Sequence, residues 1–464
     1  MNFYFYDYET FGINPKTSRI AQFAGIRVDE NLNILEEKMF YCKPTRDSLP
    51  DPVACNITGI SPQLCEEKGL LERDFIAKIN AEFSLPNTCV VGYNNIRFDD
   101  EFTRHTLYRN FFDPYAWAWK RGNSRWDLLD VVRMCYALKP ETMNWSFDDG
   151  IPSFKLDRLA PINNIIVKAH DALEDVRATI AIAKIIKEKQ PKLFNYALSL
   201  RDKKTVAKNI ELYSPMLHTS GMYSAKLGCT RRCIPLGFSS LGNVIIFNLD
   251  QDPKILLDLE VEDLKKLQFA KSSELPKGVE RLQLKEMHLN KSPMFVANVH
   301  KLSPETIRHL QIDMTKTDKH LQFILDNKQE INRKILALYK KTDFPKNDDI
   351  DQSLYGGFLS NNDRGIADEI NQMSIDKLQN FTPEFEDNKL NELFTNFKAR
   401  NYPEILNEEE REYWFEVVQE RIQNGENGYL GIEEFEKTLL EVKNNSSHNI
   451  KLWNELESFV HSVI

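Results

Sequence analysis

The sequence predicts an α/β domain over residues 1–192, a small curved β unit with inserted helices over 193–350 and an α-helical C-terminal domain over 351–464. Three observations carry this. Aromatic and β-branched runs near the N-terminus alternate with helical periodicity, strand-like runs recur between turn signals in the middle, and the final segment is polar with helical spacing. The elements follow in order. Asn2–Tyr8 is a dense aromatic strand. Arg19–Val28 and Leu32–Phe40 are two more, joined by the turn signal Asp29-Glu30-Asn31. Thr88–Val91 is a short buried strand running into Gly92-Tyr93-Asn94-Asn95. Helices are predicted over Asp99–Arg109, Trp126–Leu138 and Asp171–Gln190, the last stopping before Pro191. In the middle, Val244–Leu249 and Met294–Val299 read as strands and Val261–Phe269 as a helix. Toward the C-terminus, Glu409–Gln423 and Ile432–Val442 have helical spacing, broken at Asn444–His448.

Composition bounds the function. The chain has 464 residues, 42% hydrophobic and 28% charged, which excludes a mostly disordered or fibrous protein. No apolar run approaches the ~20 residues that span a bilayer, so no membrane partner is expected. The N-terminus meets acid at Asp7 without a basic stretch, unlike a signal peptide. Seven scattered cysteines with no C-x-x-C pair fit a reduced, cytoplasmic protein without structural zinc. With a net charge of −9, the global field does not attract a polyanion. A nucleic-acid partner would need a local basic and aromatic surface.

Asp7 and Glu9 lie two apart on a predicted strand, so both project to one side. Two adjacent carboxylates repel, and a divalent cation between them removes the conflict; hard oxygen ligands suit Mg²⁺ or Mn²⁺. With 69 acids in the chain, about ten acid-x-acid pairs arise by chance, so the pair alone decides nothing. An exposed strand face is its alternative. Asp99 and Asp100 open a predicted helix, and either could be a helix cap or a metal neighbour. His170 precedes Asp175 by five residues: His170 on the entering loop and Asp175 in the first turns can face one place. A surface or capping histidine is the alternative. The combination carries weight. Four carboxylates and one histidine in this order, within one α/β domain, suit two-metal phosphodiester hydrolysis, with the histidine taking the proton from the nucleophile.

Residues 108–136 hold eight aromatics, Tyr108, Phe111, Phe112, Tyr115, Trp117, Trp119, Trp126 and Tyr136, beside Arg109, Lys120, Arg121, Arg125 and Arg133. Stacking faces mixed with cations are what single-strand binding without sequence preference requires. Phe111, Phe112 and Trp126 are expected in the core.

The order and spacing of these motifs resemble the DEDDh exonucleases, whose fold is ribonuclease-H-like. Within them, the runs 5–12, 21–24, 57–60, 92–101 and 123–131, His218-Thr219-Ser220-Gly221-Met222, and Leu354-Tyr355-Gly356-Gly357-Phe358 are similar to the bacterial exodeoxyribonuclease I family over nearly the whole chain. The resemblance implies a processive 3′→5′ single-strand DNA exonuclease of DNA repair and recombination that releases 5′-mononucleotides. It also implies that the second domain is an SH3-like barrel and that the domains close around the strand. Carried onto matching positions, Asp7, Glu9, Asp99 and Asp175 are the four acids and His170 the general base, with Asp7, Glu9 and Asp175 touching metal. Lys155 stands where an arginine is expected and keeps the charge but not the bidentate fork. Arg104, Tyr115, Trp119 and Arg133 are implied strand contacts, with Lys203, Lys285, Asn290 and Tyr355 as further polar contacts and Glu9 also facing substrate. The resemblance further implies a monomer that docks the acidic, hydrophobic-ended C-terminal tail of single-strand DNA-binding protein, for which Lys139 and Tyr196 are the candidate residues. An RNA exonuclease of the same catalytic class is the competing function. The ~270 residues beyond the catalytic domain argue against the small RNA-trimming relatives. A binding module with a decayed site is disfavoured because all five catalytic positions are intact.

Overall fold

In the computed structural model, which describes residues 1–166, 172–271, 274–276, 278–297, 299, 302–340, 348–445 and 449–463, the N-terminal aromatic run is the central strand of a mixed sheet. Strand β1 (Asn2–Thr10) pairs antiparallel with β2 (Ile20–Val28) and parallel with β4 (Thr88–Gly92). β3 (Ile34–Tyr41) and β5 (Ser124–Asp127) form the edges, giving the order β3-β2-β1-β4-β5. Alternation along β1 sends Tyr4, Tyr6 and Tyr8 into one aromatic core with Phe23, Phe75, Phe83, Phe102 and Trp117. The pairing slips after Glu9, from Glu9 opposite Gln22 to Thr10 opposite Ile20. Such a bulge bends a strand and re-aims its last side chains.

The chain divides into two compact units, Met1–Arg125 with Val167–Ile180 and Pro345–Ile464, and Trp126–Ile166 with Ala181–Phe344. In the first unit the C-terminal helices share cores with the α/β domain. Phe11, Ala21, Cys55 and Cys65 pack with Phe435, Leu439, Trp453 and Leu456. Phe111, whose burial agrees with expectation, packs against Phe385, Phe394 and Phe397. The same unit holds a buried ionic network. Asp47 accepts from Arg19 (2.8 Å), Arg400 (3.2 Å) and Arg421 (2.6 Å). Asp351 accepts from Arg400 (2.7 Å) and Arg421 (2.6 Å), and Arg421 also reaches Asp349 (2.9 Å). Arg421 is aimed there by a π-helical turn, Gln419–Gln423, that follows helix Glu408–Val418. A widened turn of this kind shifts a side chain off the regular helical face.

The second unit holds the hairpin β6 (Ser146–Asp148) and β7 (Ile151–Ser153), and a five-stranded sheet. Its strands are β8 (Met216–Thr219), β9 (Thr230–Phe238), β10 (Val244–Asn248), β11 (Leu284–Met287) and β12 (Met294–Val296), in the order β11-β10-β9-β8-β12. Pro235 sits inside β9 at a register shift, where a strand tolerates a missing N–H. Helices packed on the sheet bring Leu256, Leu264, Ile324, Ile331 and Ile335 to Ile234, Ile245 and Phe247.

One predicted element differs. Trp126 and Asp127 belong to β5, and the helix is Leu128–Leu138. Asp127 caps it, its Oδ1 accepting from the Leu129 N–H at 3.0 Å. Trp126 is fully buried edge-on to Phe194. The apolar run after Asp127 concealed a four-residue strand. Strand Met294–Val296 is likewise shorter than predicted, and Asn298 lies outside the described residues. Among the described residues, no helix is long and apolar enough to cross a membrane.

Candidate active site and strand-binding surface

Asp7 and Glu9 project from β1 on the side opposite the tyrosines, and Asp175 comes from the first turns of helix Ala172–Lys189. One carboxylate oxygen from each of the three lies within 4.8 Å of the others, and all three residues are half-buried. Burial, followed by the charges of Asp99, Glu9 and Asp175, pushes the Asp7 carboxyl well above the usual carboxylate range. The cluster therefore opposes its own ionisation. The donor set is all hard oxygen, which fits a divalent ion of the Mg²⁺ or Mn²⁺ class rather than a soft metal. His170 and Asp171 lie outside the described residues.

Asp99 and Asp100, adjacent in sequence, differ in their tertiary contacts. Asp100 is fully buried and accepts from Tyr6 Oη (2.7 Å), Asn95 Nδ2 (3.1 Å) and Arg125 (2.6 Å). It is a structural anchor between β1 and helix Asp99–Arg109, and Tyr8 Oη adds a bond to Thr103 Oγ1 at 2.9 Å. Asp99, the first residue of that helix, is instead the strongest like-charge influence on Asp7.

The strand-contact candidates fall into groups. In the first unit, Glu101 links its helix to Tyr355: Tyr355 Oη donates to its Oε2 (2.5 Å) and Arg104 of the same helix to its Oε1 (3.1 Å). The Arg104 guanidinium stands 5.4 Å from the Tyr115 ring centroid. Phe358, almost fully exposed, meets Tyr115 edge-on at 6.0 Å. Glu101 and Phe358 were not singled out from sequence as strand contacts. Both stand in runs that carry the resemblance, Glu101 at the end of 92–101 and Phe358 at the end of Leu354-Tyr355-Gly356-Gly357-Phe358. Trp119 is exposed with Lys120 over its ring at 5.7 Å. Two of the cations counted with this surface belong elsewhere: Arg109 is fully buried on Glu72 (3.1 Å) and Arg125 is held by Asp100, because each meets a buried carboxylate that composition does not reveal. Trp117 likewise is core.

In the second unit, Arg133 pairs with Asp130 (2.6 Å) and Lys285 is buried, its Nζ 3.7 Å from the Tyr223 ring centroid. Lys155, Lys203 and Asn290 are exposed. Lys155 stands immediately before helix Leu156–Ile162 and Lys203 begins helix Lys203–Lys208. Lys139 is half-exposed and lies 3.9 Å from Glu141. Tyr196 is half-buried, its hydroxyl donating to the Phe295 carbonyl at 2.8 Å, and burial pushes its pKa up to about 12.

Comparison with known proteins follows this geometry. Residues 4–183 match the family model "Exonuclease", 201–341 "Exonuclease I SH3-like domain" and 348–463 "Exonuclease I C-terminal domain". Exodeoxyribonuclease I of Haemophilus influenzae is 42% identical over 99% of this chain and 98% of its own. Exodeoxyribonuclease I of Escherichia coli is 41% identical over 89% of this chain and 88% of its own. Among solved structures, a moderately thermophilic Exonuclease I from Methylocaldum szegediense superposes with a TM-score of 0.94 at 41% identity, covering 100% of this chain and 99% of that one. A zinc-ion-bound form of the E. coli Exonuclease I–ssDNA complex gives 0.93 at 37%, over 100% of this chain and 99% of that one. A structure of SSB/Exonuclease I with the inhibitor CFAM gives 0.91 at 37%, with the same coverage.

Proposed function

This chain belongs to the exodeoxyribonuclease I family, and from that premise we propose that it is a processive 3′→5′ exonuclease that degrades single-stranded DNA to 5′-mononucleotides. The observation that carries the reading is the convergence of Asp7, Glu9 and Asp175 within 4.8 Å at the end of the central strand. The domains we assign are an exonuclease domain over 1–192, an SH3-like domain over 193–350 and a helical C-terminal domain over 351–464; the matched ranges support this division.

Asp7, Glu9 and Asp175 would hold two Mg²⁺ ions, for which Mn²⁺ can substitute. Bound ions of that class supply the Lewis acidity that activates water and offsets charge building on the phosphate. Asp99 completes the acidic set. His170 takes the proton of the attacking water, and Glu9 and Lys155 hold the 3′-terminal nucleotide. Arg104, Arg133, Lys203 and Lys285 follow the phosphates, Asn290 adds a polar contact, and Tyr115, Trp119 and Tyr355 offer faces to bases. Sequence-independent stacking suits an enzyme that must accept every base. Metal removal tests the site: exhaustive chelation should abolish hydrolysis and Mg²⁺ should restore it. Full activity in the chelated protein would remove the carboxylate cluster from the chemistry.

The chain acts as a cytoplasmic monomer on this reading, and its seven free, buried cysteines are in keeping with a reducing compartment. The partner is the C-terminal tail of single-strand DNA-binding protein, taken by a cationic rim beside an apolar pocket. Lys139 supplies the rim and Tyr196 the wall; since the Tyr196 hydroxyl is engaged by Phe295, its ring alone is offered. In fluorescence anisotropy with a labelled tail peptide, Lys139→Ala or Tyr196→Ala should weaken a salt-sensitive interaction. Unchanged affinity in both variants would move the site elsewhere.

A further inference from the structure

The run His218-Thr219-Ser220-Gly221-Met222 has no part in the chemistry above. It ends β8 and forms a tight turn over 220–223, with the Tyr223 N–H donating to the Ser220 carbonyl at 3.0 Å. Gly221 is not in the left-handed backbone region, so conformation does not demand glycine there. Space does. A Cβ at 221 would lie 2.7 Å from one terminal nitrogen of Arg133 and 2.9 Å from its Cζ and its other terminal nitrogen. The guanidinium lies directly on the bare glycine, steadied from its own helix by Asp130 at 2.6 Å.

The other end of the turn seats a second cation. Lys285 Nζ sits 3.7 Å over the Tyr223 ring, close enough for a strong cation–π contact. That ring is itself fixed: its hydroxyl meets His218 Nδ1 at 3.0 Å and Cys233 Sγ at 3.2 Å. The two cations flank one short turn, Arg133 against Gly221 and Lys285 against Tyr223 two residues on. The buried Cys229 thiol, raised by burial, is drawn back by Arg133 and by Lys285 alike.

We propose that the Ser220–Tyr223 turn is a positioning element that seats Arg133 and Lys285 as one phosphate-holding pair for the single strand, with Gly221 and Tyr223 as the positioning residues. The inference rests on the strand-binding reading above. Gly221 acts by having no side chain, Tyr223 by presenting its ring face to Lys285. Neither touches the reacting atoms, so their loss falls on strand affinity and KM while kcat at saturating strand is kept.

The test is anisotropy of a labelled oligo(dT) on the full chain in chelator, where no hydrolysis occurs, across a salt series. Gly221→Ala pushes only the far end of a flexible side chain, so the fold is retained while Arg133 is displaced. It should bind roughly tenfold more weakly, the scale of one charge-assisted contact. Its log–log salt slope should shrink by about 0.7, one phosphate contact on a single strand. Gly221→Ala combined with Arg133→Ala should be no weaker than Arg133→Ala alone, a non-additivity that general destabilisation does not produce. Tyr223→Phe keeps the ring and should bind within about twofold of wild type, whereas Tyr223→Leu should lose roughly tenfold. Wild-type affinity in Gly221→Ala, or additive losses in the double variant, would overturn the proposal while leaving the strand-binding reading intact. No binding by the wild type would overturn both.

Discussion

Asp7→Asn is expected to lower turnover on single-stranded DNA by about a thousandfold or more, and to raise the melting temperature of the metal-free protein. Both effects come from one carboxylate. Asp7 stands in the fields of Asp99, Glu9 and Asp175, so a neutral amide of the same shape relieves like-charge repulsion in the absence of metal. The same change removes an oxygen donor whose charge the ion requires. A thousandfold loss corresponds to about 4 kcal/mol of barrier, within what metal-assisted charge stabilisation supplies. Wild type should gain thermal stability when Mg²⁺ is added, because only the folded state assembles the ligands, and Asp7→Asn should gain much less. Single-turnover kinetics and thermal scans with and without Mg²⁺ read the two effects independently. Near-wild-type turnover would exclude Asp7 as a ligand. A lower metal-free melting temperature would mean that Asp7 stabilises the fold and that the repulsion argued here is absent.

The second large effect concerns stability. Asp351→Ala should cost about 3–5 kcal/mol, because Arg400 and Arg421 each lose a buried carboxylate and are left to share Asp47. Loss of that size is a large part of the ~5–15 kcal/mol of a typical domain. A fall in the urea midpoint of the first compact unit measures it. The network also sets an acid limit. Burial opposes ionisation of Asp47 and Asp351, but Arg19, Arg400 and Arg421 around Asp47, and Arg400 and Arg421 around Asp351, outweigh it and hold both carboxyls far below the usual range. A carboxyl with a depressed folded pKa stabilises the fold fully above its unfolded pKa of about 3.9 and progressively less below it. Stability should therefore fall steeply as pH drops below about 4, and less steeply in Asp351→Ala. Identical acid profiles in the two proteins would detach the network from that transition.

What was legible in the sequence follows from how local each signal is. The placement of Asp7 and Glu9 on one face needed only the two-residue period of an aromatic strand, and helix Asp99–Arg109 needed only its own periodicity. The choice between Asp99 and Asp100 could not be read from the residues alone, because adjacent acids at a helix start look alike. What distinguishes them is that Asp100 is held by Tyr6 and Arg125, which are distant in sequence and close in space. Arg109 reads as one of the strand-binding cations, and Arg421 as a charge in a polar helical stretch; Arg400 has no local mark. Their burial depends on Glu72, Asp47 and Asp351, and no local pattern announces partners that lie 37 to 374 residues away. The π-helical turn that aims Arg421 leaves no compositional trace. Glu101 was passed over for the same reason: its importance lies in Tyr355, a residue of a different segment.

The measurement that bears most directly on the whole account is a time course of purified protein with Mg²⁺ on single-stranded DNA labelled at its 5′ end, beside the matching duplex and RNA. The account predicts that labelled single strands shorten from the 3′ end, that 5′-mononucleotides are the released product, and that few partly degraded intermediates accumulate under enzyme-limiting conditions. Duplex and RNA should persist. Immediate release of the labelled 5′ nucleotide, internal cleavage, or equal loss of the RNA strand would contradict it.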